Sequence, residues 1–223
     1  MPVAGGRWSG IEKALRESRG PLLAGIDEVG RGPLAGPVVA CAVIMPPDAR
    51  AIRGVDDSKR LSPDVRERLA VRIRERAVAV GVGAASVREI DTLNIYHAAV
   101  LAMRRAVAHL RVRPDHVLID GNPIRSLGHD HTAVVGGDGC CHSIACASII
   151  AKVTRDRIMR ALALRHVAYR WDTNAGYGTA SHHAGLALHG ITVHHRRSFG
   201  PVQRILRSGA VETHVDSGYD PGA

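Results

Sequence analysis

Apolar residues along this chain fall into short runs separated by polar and amphipathic stretches. Four of the runs lack helical spacing, and a fifth stretch alternates loosely between larger apolar and smaller residues, which is typical of buried strands. The pattern therefore predicts strands at 22–26, 38–44, 78–87, 117–120 and 132–135.

Helix signals lie between and after these strands. Ser62 and Pro63 occupy the N-cap and first helical positions, ahead of apolar residues at helical spacing. Ser86 and Glu89 have capping-box spacing, and the helical region that they open runs to Leu110. Its apolar stripe is expected to be core and consists of Leu93, Tyr96, Val100, Met103 and Val107. Further helices are expected at 9–18, 143–166 and 181–189.

Carboxylates stand at the ends of three of the predicted strands. Asp27 and Glu28 follow the first run, Asp120 ends the fourth, and Asp138 comes shortly after the fifth. Taken alone, Asp138 could simply cap the helix that follows it. Four acids at the ends of neighbouring elements instead indicate an oxygen-lined site for hard divalent cations.

A glycine turn follows the first two acids, within the connection 27–37 between the first two strands. Gly30 and Gly32 allow a ligand to approach the backbone closely, and Arg31 between them supplies a cation, which suits a phosphodiester. Neither a Walker loop nor a dinucleotide fingerprint has this spacing. An ordinary turn with a solvated Asp-Glu pair remains the alternative for these residues taken alone.

Positive charge is concentrated in the carboxy-terminal part of the chain. The formal net charge is +9 over 223 residues, and residues 141–207 contain ten Lys and Arg against two Asp. Such a balance indicates a polyanionic partner, although the preference for arginine could also reflect genome composition. The histidines of this region lack metal-ligand spacing and are expected to be solvated or to face phosphates.

Two side chains in predicted loops are candidates for contact with such a partner. Lys59 lies in a chain that otherwise uses arginine almost throughout, so it is either a phosphate ligand or a solvated charge. Tyr177 stands between two glycines and could stack on a base or sugar, or pack beneath its own loop.

The sequence shows no signal for a membrane or an oxidising compartment. Charged residues interrupt the first twenty positions, so neither a signal peptide nor a membrane span is expected, and the protein should be cytoplasmic. The four cysteines include no C-x-x-C pair, which predicts reduced thiols, with neither zinc nor a disulfide. Residues 1–20 are expected to form an extension before the core, and the polar tail 208–223 to be disordered.

Seven short motifs stand out along the chain between Leu22 and Arg207. They are Asp27-Glu28-Val29-Gly30-Arg31-Gly32, Asp57-Ser58-Lys59-x-Leu61-Ser62, Leu118-Ile119-Asp120-Gly121-Asn122, Gly137-Asp138, Ala147-Ser148-Ile149-x-Ala151-Lys152-Val153-x-Arg155-Asp156, Gly176-Tyr177 and His195-Arg196-Arg197-Ser198-Phe199. In this order they resemble the motifs of the type 2 ribonucleases H, the ribonuclease HII family. Any one motif would be weak, but seven in order are specific.

The resemblance implies a ribonuclease H-like α/β fold. A central five-stranded mixed sheet would be flanked by helices and followed by a carboxy-terminal helical extension at about 170–207, all within one catalytic domain over 21–207. The implied activity is that of an endoribonuclease that hydrolyses the RNA strand of RNA–DNA hybrids and cuts 5′ of single ribonucleotides embedded in duplex DNA, as in ribonucleotide excision repair. In-line attack of water with two Mg²⁺ or Mn²⁺ ions would leave 3′-hydroxyl and 5′-phosphate ends, and a monomer is expected.

The same resemblance implies roles for individual residues. The catalytic metal ligands would be Asp27, Glu28, Asp120 and Asp138. The ribose 2′-hydroxyl would be contacted by Gly30, Arg31 and Gly32, the junction between ribonucleotide and deoxyribonucleotide by Tyr177, and phosphates by Lys59, Ser148, Lys152 and Arg155.

One departure from the family pattern stands beside the fourth acid, where relatives commonly have Lys-Gly-Asp and this chain has Gly136-Gly137-Asp138. Two other functions stay open. A nucleic-acid-binding protein on the same scaffold without hydrolysis would need a missing acid, whereas all four are present. The other is a nuclease of related fold that acts on DNA junctions. Comparing cleavage of an all-DNA duplex with cleavage of a chimeric duplex would distinguish it from a ribonuclease H.

Overall fold

The computed structural model describes Trp8 and residues 10–207, and five strands form one sheet within them. The strands are β1 (Leu23–Val29), β2 (Val38–Ile44), β3 (Ala79–Ala85), β4 (His116–Asp120) and β5 (His131–Val134). Their order across the sheet is β3-β2-β1-β4-β5. Because β2 is antiparallel to β1 and β3 while β4 is parallel to β1 and β5, the predicted five-stranded mixed sheet is confirmed.

Helices cover both faces of the sheet. They are α1 (Ile11–Arg19), α2 (Pro63–Arg76), α3 (Val87–Leu93), α4 (Ile95–Ala108), α5 (Gly137–Cys140), α6 (His142–Ala163), α7 (Trp171–Asn174), α8 (Ala180–His189) and α9 (Gly200–Arg207), with 3-10 turns at Ser58–Arg60, Arg125–Leu127 and Val167–Tyr169. Helix α4 packs on one face in one hydrophobic core, and α2 and α6 pack on the other face in a second. The predicted arrangement of helices flanking the sheet is therefore also confirmed.

Glycines within the strands let the helices approach the sheet closely. A Cβ atom at Gly25 of β1 would overlap the backbone of Ser143 in α6, and one at Gly83 of β3 would overlap the carbonyl of Ala102 in α4. Protein interiors are close-packed, so a larger residue at either position would push a helix away from the sheet. The glycines thus fix where α4 and α6 place their side chains.

The first strand is longer than its apolar run suggested. It continues through Asp27 and Glu28, which pair with Cys41 and Ala40 of β2. The expectation that the connection begins at Asp27 is therefore wrong, because the β1–β2 ladder carries the strand past its last apolar position. Both acids are consequently held by regular strand geometry rather than by a loop.

The predicted helical region from Ser86 to Leu110 is in fact two helices. The capping box of Ser86 and Glu89 is present at the start of α3. Asn94, with φ of 68°, then breaks the helix, and its side chain accepts hydrogen bonds from the first N–H groups of α4. The break changes the helical phase, so Leu93 and Tyr96 are exposed, whereas the rest of the predicted stripe is buried.

A buried carboxylate connects helix α1 to the start of helix α6. Glu12 is 6% exposed and accepts hydrogen bonds from the N–H groups of His142 and Ser143, at 3.1 and 3.0 Å. These N–H groups begin α6 and have no partner within the helix, so the carboxylate serves as their cap. The predicted tail 208–223 lies outside the described residues. Within the described residues, no helix is both long and apolar enough to cross a membrane.

Candidate active site

The parallel pairing of β1 and β4 brings the predicted acids to one edge of the sheet. Asp27 and Glu28 lie near the end of β1, and Asp120 is the last residue of the neighbouring β4. Asp138 lies in the first turn of α5, directly after β5. The charge of Asp120 raises the pKa of each of the other three acids, so the four carboxylates form one electrostatically coupled cluster.

Asp27 and Glu28 face opposite sides of the sheet, as adjacent strand residues do. Asp27 is 8% exposed and lies beside the hydroxyl of Ser148 in α6, which favours its charged form. Glu28 lines a cleft on the α4 side, and its Oε1 lies 3.4 Å from a guanidinium nitrogen of Arg31. Asp120 lines the same cleft as Glu28, and its charge also acts on Asp27 on the other side of the sheet.

Backbone N–H groups orient two of the carboxylates. The N–H of Glu28 donates to Oδ1 of Asp27 across 2.8 Å. The N–H of Gly137 donates to Oδ1 of Asp120 across 2.7 Å. Both donors belong to regular elements, whereas Oδ2 of Asp138 accepts from the ammonium of Lys59, a side chain 77% exposed, at 3.3 Å.

Burial and mutual repulsion disfavour the charged forms of the acids. Burial, then the charges of Glu28 and Asp120, raises the pKa of Asp27 well above its usual value, although the Ser148 hydrogen bond opposes the shift. Burial also raises the pKa of Glu28, against the nearby Arg31. For Asp138, burial and the nearby carboxylates raise the pKa against Lys59. Raised carboxylate pKa values from gathered like charges are typical of functional sites.

The donor set fits a hard divalent cation. All four side chains offer carboxylate oxygens, and a doubly charged ion would relieve the repulsion among them. Among the described residues, no three Asp, Glu, His or Cys side chains already converge on a common point as metal ligands. Glu28 is paired with Arg31 and Asp138 with Lys59, so both pairs must open for the cluster to close around an ion.

The glycine turn lies beside the acids and against Tyr177. Gly30 has φ of +94°, which favours glycine, and a Cβ there would overlap the side chain of Arg155. A Cβ on Gly32 would lie 3.6 Å from a ring carbon of Tyr177, whose side chain is exposed. The structure therefore brings together the predicted turn and the predicted tyrosine.

Two buried arginines hold this turn from below. Arg196 is fully buried and donates to the carbonyl oxygens of Gly30, Arg31 and Gly36, at 2.6 to 3.0 Å. Arg155 is also fully buried, and its three nitrogens donate to the carbonyl oxygens of Pro37, Ala175 and Ala35 at 2.8 to 3.0 Å. Because these carbonyl oxygens point toward the buried arginines, the opposite side of the turn faces the site.

Arg155 is therefore not placed as a phosphate contact, and that expectation is corrected. Burial lowers the pKa of Arg155 to about 10, and its hydrogen bonds are spent on backbone carbonyls. Ser148 is also corrected, because it is 3% exposed and its hydroxyl shares a hydrogen bond of 2.9 Å with that of Ser58. Both residues support the site from behind.

The two predicted lysines differ in how freely they can reach a phosphate. Lys59 has a side chain 77% exposed and stands at the rim of the acid cluster. Lys152 is more enclosed, at 21% exposed, and its Nζ donates to Asp156 across 2.7 Å. Lys59 is thus exposed at the site with its ammonium paired with Asp138, while Lys152 is more enclosed and paired with Asp156.

The expectation that the carboxy-terminal histidines are solvated or face phosphates is wrong for His182 and His195. Both are buried, and their Nε2 atoms lie 3.0 Å apart. Nδ1 of His182 donates to the carbonyl oxygen of Tyr177 at 3.0 Å. Nε2 of His182 accepts a hydrogen bond from Nε1 of Trp171 at 3.1 Å. Burial lowers the pKa of His195 to about 3, so the pair is neutral and supports the tyrosine loop.

A cleft of about 290 Å³ extends from the acids along α4. Glu28, Arg31, Asp120 and Asn122 supply its polar groups, and Tyr96 forms part of its wall. The sequence assigned Tyr96 to the core, whereas its side chain is 43% exposed in the structure. Asn94 could have indicated the helix break from the sequence, since Asn is favoured both at N-caps and at positive φ.

Comparisons with known proteins agree with this geometry. The model of the family described as ribonuclease HII matches residues 24–202. The chain is similar to the ribonuclease HII of Granulibacter bethesdensis, at 51% identity over 90% of this chain and 94% of that relative. It is similar to the ribonuclease HII of Gluconobacter oxydans, at 52% identity over 88% of this chain and 97% of that relative.

A solved structure shows the same fold. The crystal structure of ribonuclease H2 from Pyrococcus horikoshii matches with a TM-score of 0.69 and 25% identity, over 84% of this chain and 98% of that one. The expected ribonuclease H-like fold is therefore confirmed. The chain belongs to the ribonuclease HII family, whose members are metal-dependent endoribonucleases that act on RNA–DNA hybrids.

Proposed function

We propose that this protein, beyond cutting the RNA strand of RNA–DNA hybrids, cuts 5′ of single ribonucleotides embedded in duplex DNA. One observation carries the proposal: the acid cluster lies beside a glycine turn that has an exposed tyrosine next to it. The acids supply a site for the reacting phosphate. The turn and the ring supply a surface that can distinguish one sugar from the next.

The four acids, Asp27, Glu28, Asp120 and Asp138, would hold two Mg²⁺ or Mn²⁺ ions during turnover. When bound, such ions activate water for in-line attack and stabilise the leaving 3′ oxygen, which gives 3′-hydroxyl and 5′-phosphate ends. Asp27 and Asp120 are oriented in advance by the N–H groups of Glu28 and Gly137. Asp138 and Glu28 become ligands by giving up their present pairs with Lys59 and Arg31.

The Gly-Arg-Gly turn would recognise the ribose. The 2′-hydroxyl is the group that distinguishes the two sugars at a given position, and it can both donate and accept a hydrogen bond. With the carbonyls of Gly30 and Arg31 held by Arg196, the outer side of the turn is free of side-chain bulk at the two glycines. Tyr177, next to Gly32, would pack on the sugar of the following deoxyribonucleotide.

Phosphates of the cut strand would be held chiefly by Lys59 and Arg31, whose side chains are exposed at the rim of the site. Ser148 and Arg155 act indirectly, by positioning Asp27 and the glycine turn. We propose residues 21–207 as the catalytic unit, acting as a cytoplasmic monomer in the removal of ribonucleotides from DNA. Lys152 would contact a phosphate once a bound duplex draws it away from Asp156.

The proposal is tested by Asp120→Asn, which removes charge from the acid that is coupled to the other three. Asparagine keeps an oxygen that can accept from the N–H of Gly137, so the fold should be retained. We expect cleavage of a hybrid to fall by at least about a thousandfold while its binding in chelator changes little. Undiminished cleavage by the variant, or full parent activity in excess chelator, would contradict the proposed site.

A further inference from the structure

Lys59 forms a bridge between Asp138 of the acid cluster and Asp57 outside it. Its Nζ lies 3.3 Å from Oδ2 of Asp138 and 3.9 Å from Oδ1 of Asp57. Its own N–H donates to the same Oδ1 of Asp57 across 2.9 Å, which fixes the 3-10 turn that carries it. The backbone of Lys59 is therefore anchored, while its long side chain, 77% exposed, can change direction.

The ammonium occupies a position of strong negative potential. Partial burial lowers the pKa of Lys59, but the charges of Asp138, Asp57 and Asp27 together outweigh it and leave the pKa above its usual value. Among the described residues, Lys59 is the side chain that forms an ion pair with Asp138. Gly136, two positions before Asp138, has no side chain, and the space on its Cβ side holds no described atom within 4 Å, so no second side chain from that position shares the role.

An ammonium and a divalent cation compete for the same carboxylate. Both need close contact with its oxygens, and they repel each other at such distances. We propose that Lys59 is an internal counter-cation, which neutralises Asp138 until a divalent ion binds and then turns outward to a phosphate of the duplex. The inference rests on the proposed role of Asp138 as a metal ligand.

The exchange couples two ligands through one side chain. A metal ion at Asp138 releases Lys59 for the duplex, and a duplex that draws Lys59 outward frees Asp138 for the metal ion. By linkage, each ligand then increases the affinity for the other by the same factor. Removing the lysine should consequently tighten metal binding to the free protein and weaken duplex binding in the absence of metal.

The experiment is calorimetric titration of the full-length protein with Mn²⁺ in the absence of nucleic acid. We compare the parent with Lys59→Met and with Arg60→Met, a matched control that removes a neighbouring exposed charge paired with Asp56. We expect Lys59→Met to bind Mn²⁺ about fivefold more tightly or better, and Arg60→Met to stay within about twofold. In chelator, Lys59→Met should bind a hybrid more weakly than the parent.

Unchanged or weaker Mn²⁺ binding by Lys59→Met would overturn the inference. Asp138→Asn distinguishes this failure from failure of the metal site itself. If Asp138→Asn weakens Mn²⁺ binding but Lys59→Met does not tighten it, the exchange is refuted and the metal site stands. If Asp138→Asn leaves Mn²⁺ binding unchanged, both the metal role of Asp138 and the exchange are refuted.

Discussion

The guanidinium of Arg196 donates to the carbonyl oxygen of Gly30 across 2.6 Å, from a position fully buried beneath the glycine turn. Burial and the nearby charge of Arg155 lower the pKa of Arg196 to about 9, so it remains charged at neutral pH. A buried charge is tolerated only when its hydrogen-bond donors have acceptors. Here the carbonyl oxygens of Gly30, Arg31 and Gly36 accept from the guanidinium. Arg196 therefore acts as a positioning residue for the turn that would read the ribose.

Arg196→Lys should impair discrimination more than general cleavage. Lysine keeps the charge but loses the planar fork that reaches three carbonyls at once. We expect kcat/KM on a duplex with one ribonucleotide to fall by at least about tenfold more than kcat/KM on a long hybrid, where many registers are available. Steady-state kinetics on the two substrates measures the difference.

Arg165→Lys is the control for Arg196→Lys, because Arg165 is an exposed arginine of the same carboxy-terminal region. It should leave both kinetic constants near those of the parent. Equal losses on the two substrates for Arg196→Lys would mean that Arg196 supports the fold in general and does not position the turn.

Asp27→Asn should stabilise the metal-free protein at neutral pH. Burial raises the pKa of Asp27, so the folded state binds its proton more tightly than the unfolded state does. The stability gained from that proton is fully present below the unfolded pKa, about 3.9, and is lost as pH rises through the higher folded value. We expect the variant to melt roughly 3–6 °C above the parent at pH 7 in chelator.

The sign of this effect is checked by repeating the melts at lower pH. As pH falls through the raised pKa of Asp27, the folded parent takes up the proton, so the difference in melting temperature between parent and variant should shrink. A variant less stable than the parent at pH 7 would show that the Asp27 carboxylate is well satisfied in the absence of metal. Metal should stabilise the parent more than the variant, because binding requires the charged form.

Tyr177→Ala should act on the sugar junction. The ring is exposed and lies next to Gly32 of the glycine turn, while the backbone carbonyl of Tyr177 is held by His182. Removing the ring leaves that support intact, so we expect little change in melting temperature. Cleavage of a duplex with one ribonucleotide should fall more than cleavage of a long hybrid, and equal losses would make Tyr177 a packing residue.

The sequence was sufficient to locate the strands and the acids. Local patterns control these features: apolar runs define the strands, and Asp120 is recognisable because it ends one of them. The parallel pairing of β1 and β4 then brings Asp120 beside Asp27. The caps formed by Ser62 and Ser86 were predictable for the same reason, since each depends on residues within one turn.

The support beneath the site could not be predicted from local patterns. Arg155, Arg196 and His182 were counted as surface charges or solvated rings because residues of these types are usually exposed. The two arginines instead donate to backbone carbonyls that lie up to 166 positions away in the chain, and His182 is held by the Tyr177 carbonyl and by the side chains of Trp171 and His195. Asn94 was missed for a different reason, because a single residue at positive φ changes helical phase without disturbing the hydrophobic spacing.

The most direct test of the central claim is cleavage of a 5′-labelled DNA duplex that contains one ribonucleotide, beside an all-DNA duplex of the same sequence. We expect one product, cut on the 5′ side of the ribonucleotide, in Mg²⁺ or Mn²⁺, with no cleavage of the all-DNA duplex and none in excess chelator. An enzyme that cuts a long hybrid but leaves the single-ribonucleotide duplex intact would contradict the proposed reading of the ribose by the glycine turn and Tyr177.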